Sequence, residues 1–224
     1  MKYVLVSKDL PWSDYLYTLL QKHVGDFVWF KDNSLLNLED FLNQMNPEYV
    51  FFFHWSEIVI DPIYKKYKCV VIHTSNLPDG KGGSPLQNQI MDGVVQSKVN
   101  ALEMKKEVDS GGVYSSRPIT LQGSISDIYF TIADISVNLI SDCIEGCVPI
   151  PQITGGKKFK RNLNNEIDFT KDLKSINDFI RMLDGPGYPN SYLEIGNYRL
   201  SFTRSRLDYN KSIIADIKIT PKDD

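Results

Sequence analysis

The sequence predicts an α/β protein built on a Rossmann-like, doubly wound, mostly parallel sheet, followed by a short β-rich C-terminal segment. Three observations predict it. Short β-branched or aromatic runs alternate with helix-length amphipathic stretches through the first part of the chain. The third and fourth runs, YVFFFHW (49–55) and CVVIH (69–73), are almost continuously apolar, as strands covered on both faces are. Two histidines, His54 and His73, stand at the ends of those runs, where doubly wound sheets hold their ligands.

The elements follow in order. YVLVS (3–7) reads as the first core strand, and Leu16, Leu19, Leu20 and His23 recur after it at helical spacing. DFVWF (26–30) is a second strand, and LNLEDFLNQM (36–45) a helix with Leu38, Phe41 and Leu42 on one face. After the histidine-ending strands, Pro85 suits the first turn of a helix over 85–94. SKVNALEM (97–104) and GVYSSRPITL (112–121) read as two strands joined through a turn that holds Asp109 before Gly111 and Gly112. Residues 124–144 form the longest amphipathic helix, capped by Ser124 or Ser126. Beyond Pro149 the chain turns polar, then KSINDFIRML (174–183) is a helix stopped by Gly185-Pro186-Gly187. The remainder alternates as three short strands. The expected division is a catalytic unit over 1–185 and a small β unit over 186–224, packed on the core or on a partner subunit, because three short strands are not stable alone.

Composition narrows the function. The chain has 224 residues, 42% apolar and 24% charged, enough for one sizeable core. A net charge of −3 gives no field that would gather nucleic acid or an anionic membrane. No apolar run has the length of a membrane span, and the apolar stretch at the N-terminus is too short for a signal peptide. Cys143 and Cys147 lie four apart, a spacing that suits one helix face better than a zinc or redox motif, so no metal is expected and the cytoplasm is the expected compartment.

The stretch VVIHTSNLPDGKGGSPLQNQI (70–90) carries the chemistry. A histidine closes a strand, a loop with Gly82 and Gly83 follows, and a helix begins. Loops placed beyond the ends of buried strands are where α/β enzymes keep reactive groups. Lys8 and Trp12, in the loop after the first strand, open to the same side.

His73, Ser75, Leu77-Pro78 and Gly82, followed 36 residues after the histidine by Asp109-Ser110-Gly111, resemble the formyltransferase family that uses 10-formyltetrahydrofolate. IRMLDGPGYPNSYLEIGNYRL (180–200) is similar to a later segment of that family. The form LPDGKGGSPLQN, with FFFHWS before it, resembles the branch that formylates amino sugars, of the perosamine or pseudaminic-acid-precursor type. The resemblance implies the formyltransferase fold and transfer of a formyl group from 10-formyltetrahydrofolate to the amine of an amino-deoxysugar, nucleotide-linked. It implies that His73 stabilises an oxyanion or moves the amine's proton and that Asp109 orients the ring. Phe52 and Trp55 are expected to line a slot for the pterin, with main chain near Val108 and Gly111 completing it, while Phe51 and Phe53 fill core. Lys81, Gly82, Gly83, Ser84, Gln87, Lys8 and Trp12 are the candidates for holding the sugar or its phosphates.

The family's pattern has an asparagine two residues before the histidine, and Val71 stands there. Losing one oxyanion donor costs about a hundredfold or more in rate. His54 and Asn88 are the preferred replacements, ahead of Asn76. Val71 also motivates a second reading, a folate- or sugar-binding protein without turnover. A third, formylation of an aminoacylated tRNA, requires an RNA-holding surface, yet residues 186–224 carry six Lys/Arg against five Asp/Glu. The expected partners are small molecules and a second copy of the chain, not nucleic acid or membrane.

Overall fold

The computed structural model describes residues 3–222 apart from 33, 162, 163 and 210. A six-stranded sheet runs in the order β2-β1-β3-β4-β6-β7. β1 (Tyr3–Val6), β2 (Phe27–Phe30), β3 (Tyr49–Phe52) and β4 (Lys68–Thr74) are parallel neighbours, and β6 (Gln96–Glu103) and β7 (Val113–Thr120) add an antiparallel edge. The chain crosses from β2 over β1 to β3, so the order reverses between β1 and β3, the place where such sheets open a crevice.

Alternation along the strands sorts the core into two layers. Leu5, Phe51, Phe53, Val70 and Ile72 face α1 (Pro11–His23), α4 (Pro85–Met91) and α5 (Ile125–Ile144). Val4, Val6, Val50, Phe52 and Cys69 face α2 (Leu35–Met45) and α3 (Asp61–Lys66). Ser124 caps α5 in a capping box: its hydroxyl accepts from the Asp127 amide, and the Asp127 carboxylate accepts from the Ser124 amide. The helix α3 was not anticipated. It is about one and a half turns of DPIYKK, too short for a periodic signal, with Pro62 in its first turn.

β3 ends three residues earlier than its apolar run. Its last partner across to β4 is Phe52 opposite Val71; the Phe53 amide then donates to the Val6 carbonyl on the β1 side. β4 runs on against β6 as far as Thr74 opposite Val99. The two central strands therefore part at their carboxyl ends. His54 turns away there with φ of 47°.

Two further features follow from loop packing. β5 (Lys81–Gly82) pairs with β8 (Lys158–Phe159), a two-residue ribbon that binds the glycine loop to the polar segment after Pro149. Gly82, at φ 105°, lies so close that an added Cβ would stand 2.6 Å from the Phe159 carbonyl oxygen. The C-terminal sheet, order β11-β10-β9, is built from β9 (Ser191–Ile195), β10 (Tyr198–Asp208) and β11 (Ser212–Pro221), the last two longer than the sequence predicts. Phe202 and Ile213 of this sheet pack with Ile176 and Ile180 of α6 (Leu173–Arg181). Among the described residues no helix is long and apolar enough to cross a membrane.

Ile180 is 2% exposed and ties α6 to the C-terminal sheet. Ile180→Ala is expected to lower the free energy of unfolding by about 2–4 kcal/mol, measured by urea titration. A loss below about 1 kcal/mol would mean that the sheet docks by other contacts.

Candidate active site

Beyond the parted strands lies a cavity of about 700 Å³, within the range of small-molecule sites. Phe53 and His54 bound it on one side, Ile72, His73 and Thr74 on the other. It reaches both faces of the sheet. One lobe, toward the α2 and α3 side, is walled by Trp55, Ile58, Val59, Met104 and Val108. The other, toward α4 and α5, is walled by Gln87, Tyr129, Ile132, Leu183 and Tyr188; Lys8, close enough to His54 to act on its charge, and Arg161, close enough to act on Tyr188, also line the cavity.

His73 and Asp109 meet at the junction. The side chains are 6% and 8% exposed, and His73 Nδ1 lies 3.5 Å from Asp109 Oδ1. His73 Nε2 is 3.1 Å from the Gly80 carbonyl, which can only accept, so the neutral ring carries its proton on Nε2. The lone pair then sits on Nδ1, beside the carboxylate. Burial pushes the imidazole below its ordinary value; Asp109 and the Gly80 carbonyl oppose that shift, and Lys81 adds to it. At rest the ring is neutral and able to accept a proton, and the carboxylate waits for the charge that results.

Asp109 is held from three directions. Its Oδ2 accepts from the Gly82 amide at 2.9 Å, joining it to the glycine loop. The Gln152 side-chain amide donates to the carbonyls of Asp109 at 2.9 Å and Gly111 at 2.7 Å. A Cβ on Gly111 would stand 1.8 Å from the Glu103 carbonyl oxygen, so only glycine lets this turn lie against β6. Asp109 (φ 54°), like His54 and Ser84 (φ 51°), occupies the left-handed region, and all three line the cavity.

His54 belongs to a different network. The Trp12 indole donates to Nδ1 at 2.9 Å, which fixes the proton on Nε2, and Nε2 lies 3.1 Å from the Tyr188 hydroxyl. Tyr188 in turn bonds the Tyr129 hydroxyl at 3.0 Å. The ring stacks on Tyr129, with centroids 4.2 Å apart. Burial, with Lys8 nearby, lowers the pKa of His54 to about 3.

Of the residues singled out in the sequence, Lys8, His54, Trp55, His73, Gly82, Gly83, Ser84, Gln87, Val108 and Asp109 line the cavity. Five do not. Phe52 is fully buried between the sheet and α2, at the last paired position of β3 before the strands part. Trp12 is fully buried and spends its indole on His54. Asn88 spends its amide on the carbonyls of Gly83, Ser84 and Lys160, fastening the loop to the segment beside it. Lys81 and Gly111 stand outside the lining. Asn76 donates to the Gln96 carbonyl and is likewise outside. Val71 lines the cavity with no polar group to offer.

Sequence reasoning missed Tyr129 and Tyr188. Tyr129 lies on the first turns of an amphipathic helix and looks like core, whereas Tyr188 sits in the conspicuous GPGYP turn. The basic run 157–161 divides: Lys157 pairs with Asp92 and Lys158 with Glu107, while Arg161 lines the cavity. Neither Lys8 nor Arg161 has a carboxylate partner among the described residues.

A mostly parallel sheet with a crevice beyond the carboxyl ends of its parted central strands, and a buried histidine–aspartate pair in it, define an α/β enzyme-type site. The structure of a methionyl-tRNA formyltransferase from Clostridium thermocellum is 31% identical, with a TM-score of 0.89, covering 99% of this chain and 100% of that one. The chain belongs to the formyltransferase family. A family model described as "Methionyl-tRNA formyltransferase, C-terminal domain" matches residues 162–220. The methionyl-tRNA formyltransferase of Malacoplasma penetrans is 24% identical over 220 residues, 92% of this chain and 67% of its own. The next curated relatives are spanned over 40% and 58% of their lengths. The formyltransferase PseJ from Anoxybacillus kamchatkensis, solved with UDP-4,6-dideoxy-4-formamido-L-AltNAc and tetrahydrofolate, shares the fold at 18% identity, with a TM-score of 0.57 over 70% of this chain and 85% of that one.

The lowered pKa of His54 makes stability depend on pH with a definite sign. The unfolded chain binds a proton near 6.5 and the folded one only near 3, so stability is full above 6.5 and falls as pH drops between those values. The loss is on the order of a few kcal/mol. His54→Asn, which stays neutral and suits the left-handed backbone, is expected to flatten that slope in urea titrations between pH 7 and 4. An unchanged slope would remove His54 as its source.

Proposed function

We propose that the protein transfers a formyl group from 10-formyltetrahydrofolate to the amine of a small anionic acceptor, a nucleotide-linked amino-deoxysugar. One observation carries the reading: the His73–Asp109 pair stands where an apolar lobe meets one near Lys8 and Arg161, cations with no carboxylate partner among the described residues.

The apolar lobe suits the donor. Trp55 and Val108 are retained as its contacts, Trp55 Nε1 finds no acceptor among the described residues, and Ile58, Val59 and Met104 offer apolar surface to a flat ring, with Glu57, Glu103, Lys105 and Lys106 also lining the cavity. The donor supplies the formyl carbon and departs as an amine that needs one proton, the number that the acceptor amine loses. His73 Nδ1 takes up that proton, and Asp109 steadies the imidazolium. Asp109 also holds the glycine loop, and Gly82, Gly83, Ser84 and Gln87 shape the acceptor lobe beside Lys8. The protonated Nδ1 is the nearest replacement for the donor that Val71 lacks. His54, with both ring nitrogens committed, positions Tyr188 rather than reacting.

The names of the relatives favour a second reading, formylation of methionyl-tRNA. The C-terminal sheet argues against an RNA-binding role there: on its polar face Arg199 and Lys222 pair with Glu194, and Arg204 pairs with Asp216. We assign residues 1–185 to catalysis and 186–224 to a β unit. That unit's apolar face extends past α6 as Ile195, Tyr198, Ile217 and Ile219, each more than half exposed, and we assign it to contact with a second copy. Three free cysteines, two of them buried, accord with a reducing cytoplasm.

The test is an assay with 10-formyltetrahydrofolate and, in parallel, UDP- and dTDP-linked 4-amino-4,6-dideoxyhexoses and methionyl-tRNA, following release of tetrahydrofolate. Turnover of a nucleotide sugar, reduced about 10²- to 10⁴-fold in His73→Ala and Asp109→Ala, is the expected result. Turnover of methionyl-tRNA alone would transfer the protein to the second reading; binding of folate and sugar without turnover would make it a binding protein. Because burial lowers the His73 pKa, the acid limb of kcat/KM is expected below pH 6.5. Asp109→Asn removes an opposing charge and is expected to move that limb lower still. A limb at or above 6.5 in the parent protein would exclude His73 as the base.

A further inference from the structure

The network behind His54 has a direction that the sequence does not reveal. The Trp12 indole can only donate, so His54 Nδ1 accepts and Nε2 must carry the ring's proton. Nε2–H therefore donates to the Tyr188 oxygen. With its oxygen already accepting, Tyr188 directs its own O–H to the Tyr129 oxygen, 3.0 Å away. The Tyr129 O–H then remains, and no acceptor for it stands among the described residues. Two phenols share one mutual hydrogen bond, so one O–H is left over however that bond is drawn, and both phenols line the cavity.

The leftover donor is rigidly held. The Tyr129 ring stacks on both Trp12, with centroids 4.9 Å apart, and His54, at 4.2 Å, and those two rings are hydrogen-bonded to each other. A hydroxyl held in this way, with no acceptor for its proton among the described residues and facing a cavity, is oriented before any ligand arrives. Lys8, near His54, and Arg161, near Tyr188, line the same cavity.

We propose that Tyr129 is a specificity-determining residue whose O–H donates to an oxygen of the substrate's sugar ring or ring substituent, while Lys8 and Arg161 face the phosphates. The proposal rests on the reading that this lobe takes a nucleotide-linked sugar. It goes further by dividing the ligand: a neutral, oxygen-bearing head meets the phenol and an anionic part meets the cations. A chain of four side chains, starting from an indole that can only donate, thereby selects for a hydrogen-bond acceptor at one point.

The probes are UDP, dTDP, UDP-glucose and dTDP-glucose, titrated calorimetrically into the full chain and into Tyr129→Phe. The parent protein is expected to bind a sugar-linked form more tightly than the bare nucleotide. Tyr129→Phe is expected to weaken the sugar-linked form by about 3- to 10-fold, the size of one hydrogen bond, and to leave the bare nucleotide unchanged. Equal weakening of both, or of neither, overturns the proposal, as does failure of the parent protein to bind any of the four. If Tyr129→Phe does not fold, tyrosine carbon-13 NMR of the parent protein decides: the Tyr129 ring resonance must respond to UDP-glucose and not to UDP. The formylation assay stands apart. Tyr129-dependent binding without turnover removes the enzymatic reading alone, and turnover with a Tyr129-independent affinity removes this inference alone.

Discussion

The site depends on one interruption in a hydrogen-bond ladder. β3 and β4 pair through Phe52 and Val71 and then separate, one chain continuing along β1 and the other along β6. Paired further, the two strands would close the crevice and bury His54 and His73 in a continuous sheet. Because they part, both faces of the sheet are reachable from one opening. Val71 and His73 point to one side and Ile72 to the other, so the cavity at the break borders both layers of the core. The core supports this by filling each layer tightly up to the break, with Phe52 on one side and Phe51 and Phe53 on the other.

The reactive pair is assembled from loops rather than from strand positions alone. β4 delivers the imidazole, the turn between β6 and β7 delivers the carboxylate, and the glycine loop bonds both: Gly80 through its carbonyl, Gly82 through its amide. That loop is itself bound by β8 and by the Asn88 side chain. Residues well outside the cavity therefore govern the distance between two groups within it. Small residues are required where main chain meets main chain, and a fixed carboxamide is required where three carbonyls converge.

Much of the fold was legible because its signals are local. Alternating apolar runs located the sheet strands, the cap at Ser124 located the longest helix, and the histidine-ending runs located the crevice. His73 and Asp109 were legible as members of a motif. Other features were not local. Phe52 and Phe53 differ by one position, and which of them reaches a cavity depends on the register of a strand within a sheet. Asn88 looked like a polar group next to a reactive loop, yet its hydrogen bonds are made to a segment 72 positions away in the chain. Tyr129 and Tyr188 lie 59 residues apart, and neither carries a signal until a histidine from a third element joins them. The length of β10 and β11 depended on their pairing with each other, which alternation alone does not set.

His54, Ser84 and Asp109 share a backbone conformation that side-chain-bearing residues adopt at a cost of roughly 1 kcal/mol or more each. Glycine would relieve that cost at every one of them and would leave a more durable molecule with an empty workplace. Selection for robustness and selection for chemistry therefore pull in opposite directions at three neighbouring points on one rim. A lineage that lost its substrate would be expected to drift toward glycine there first.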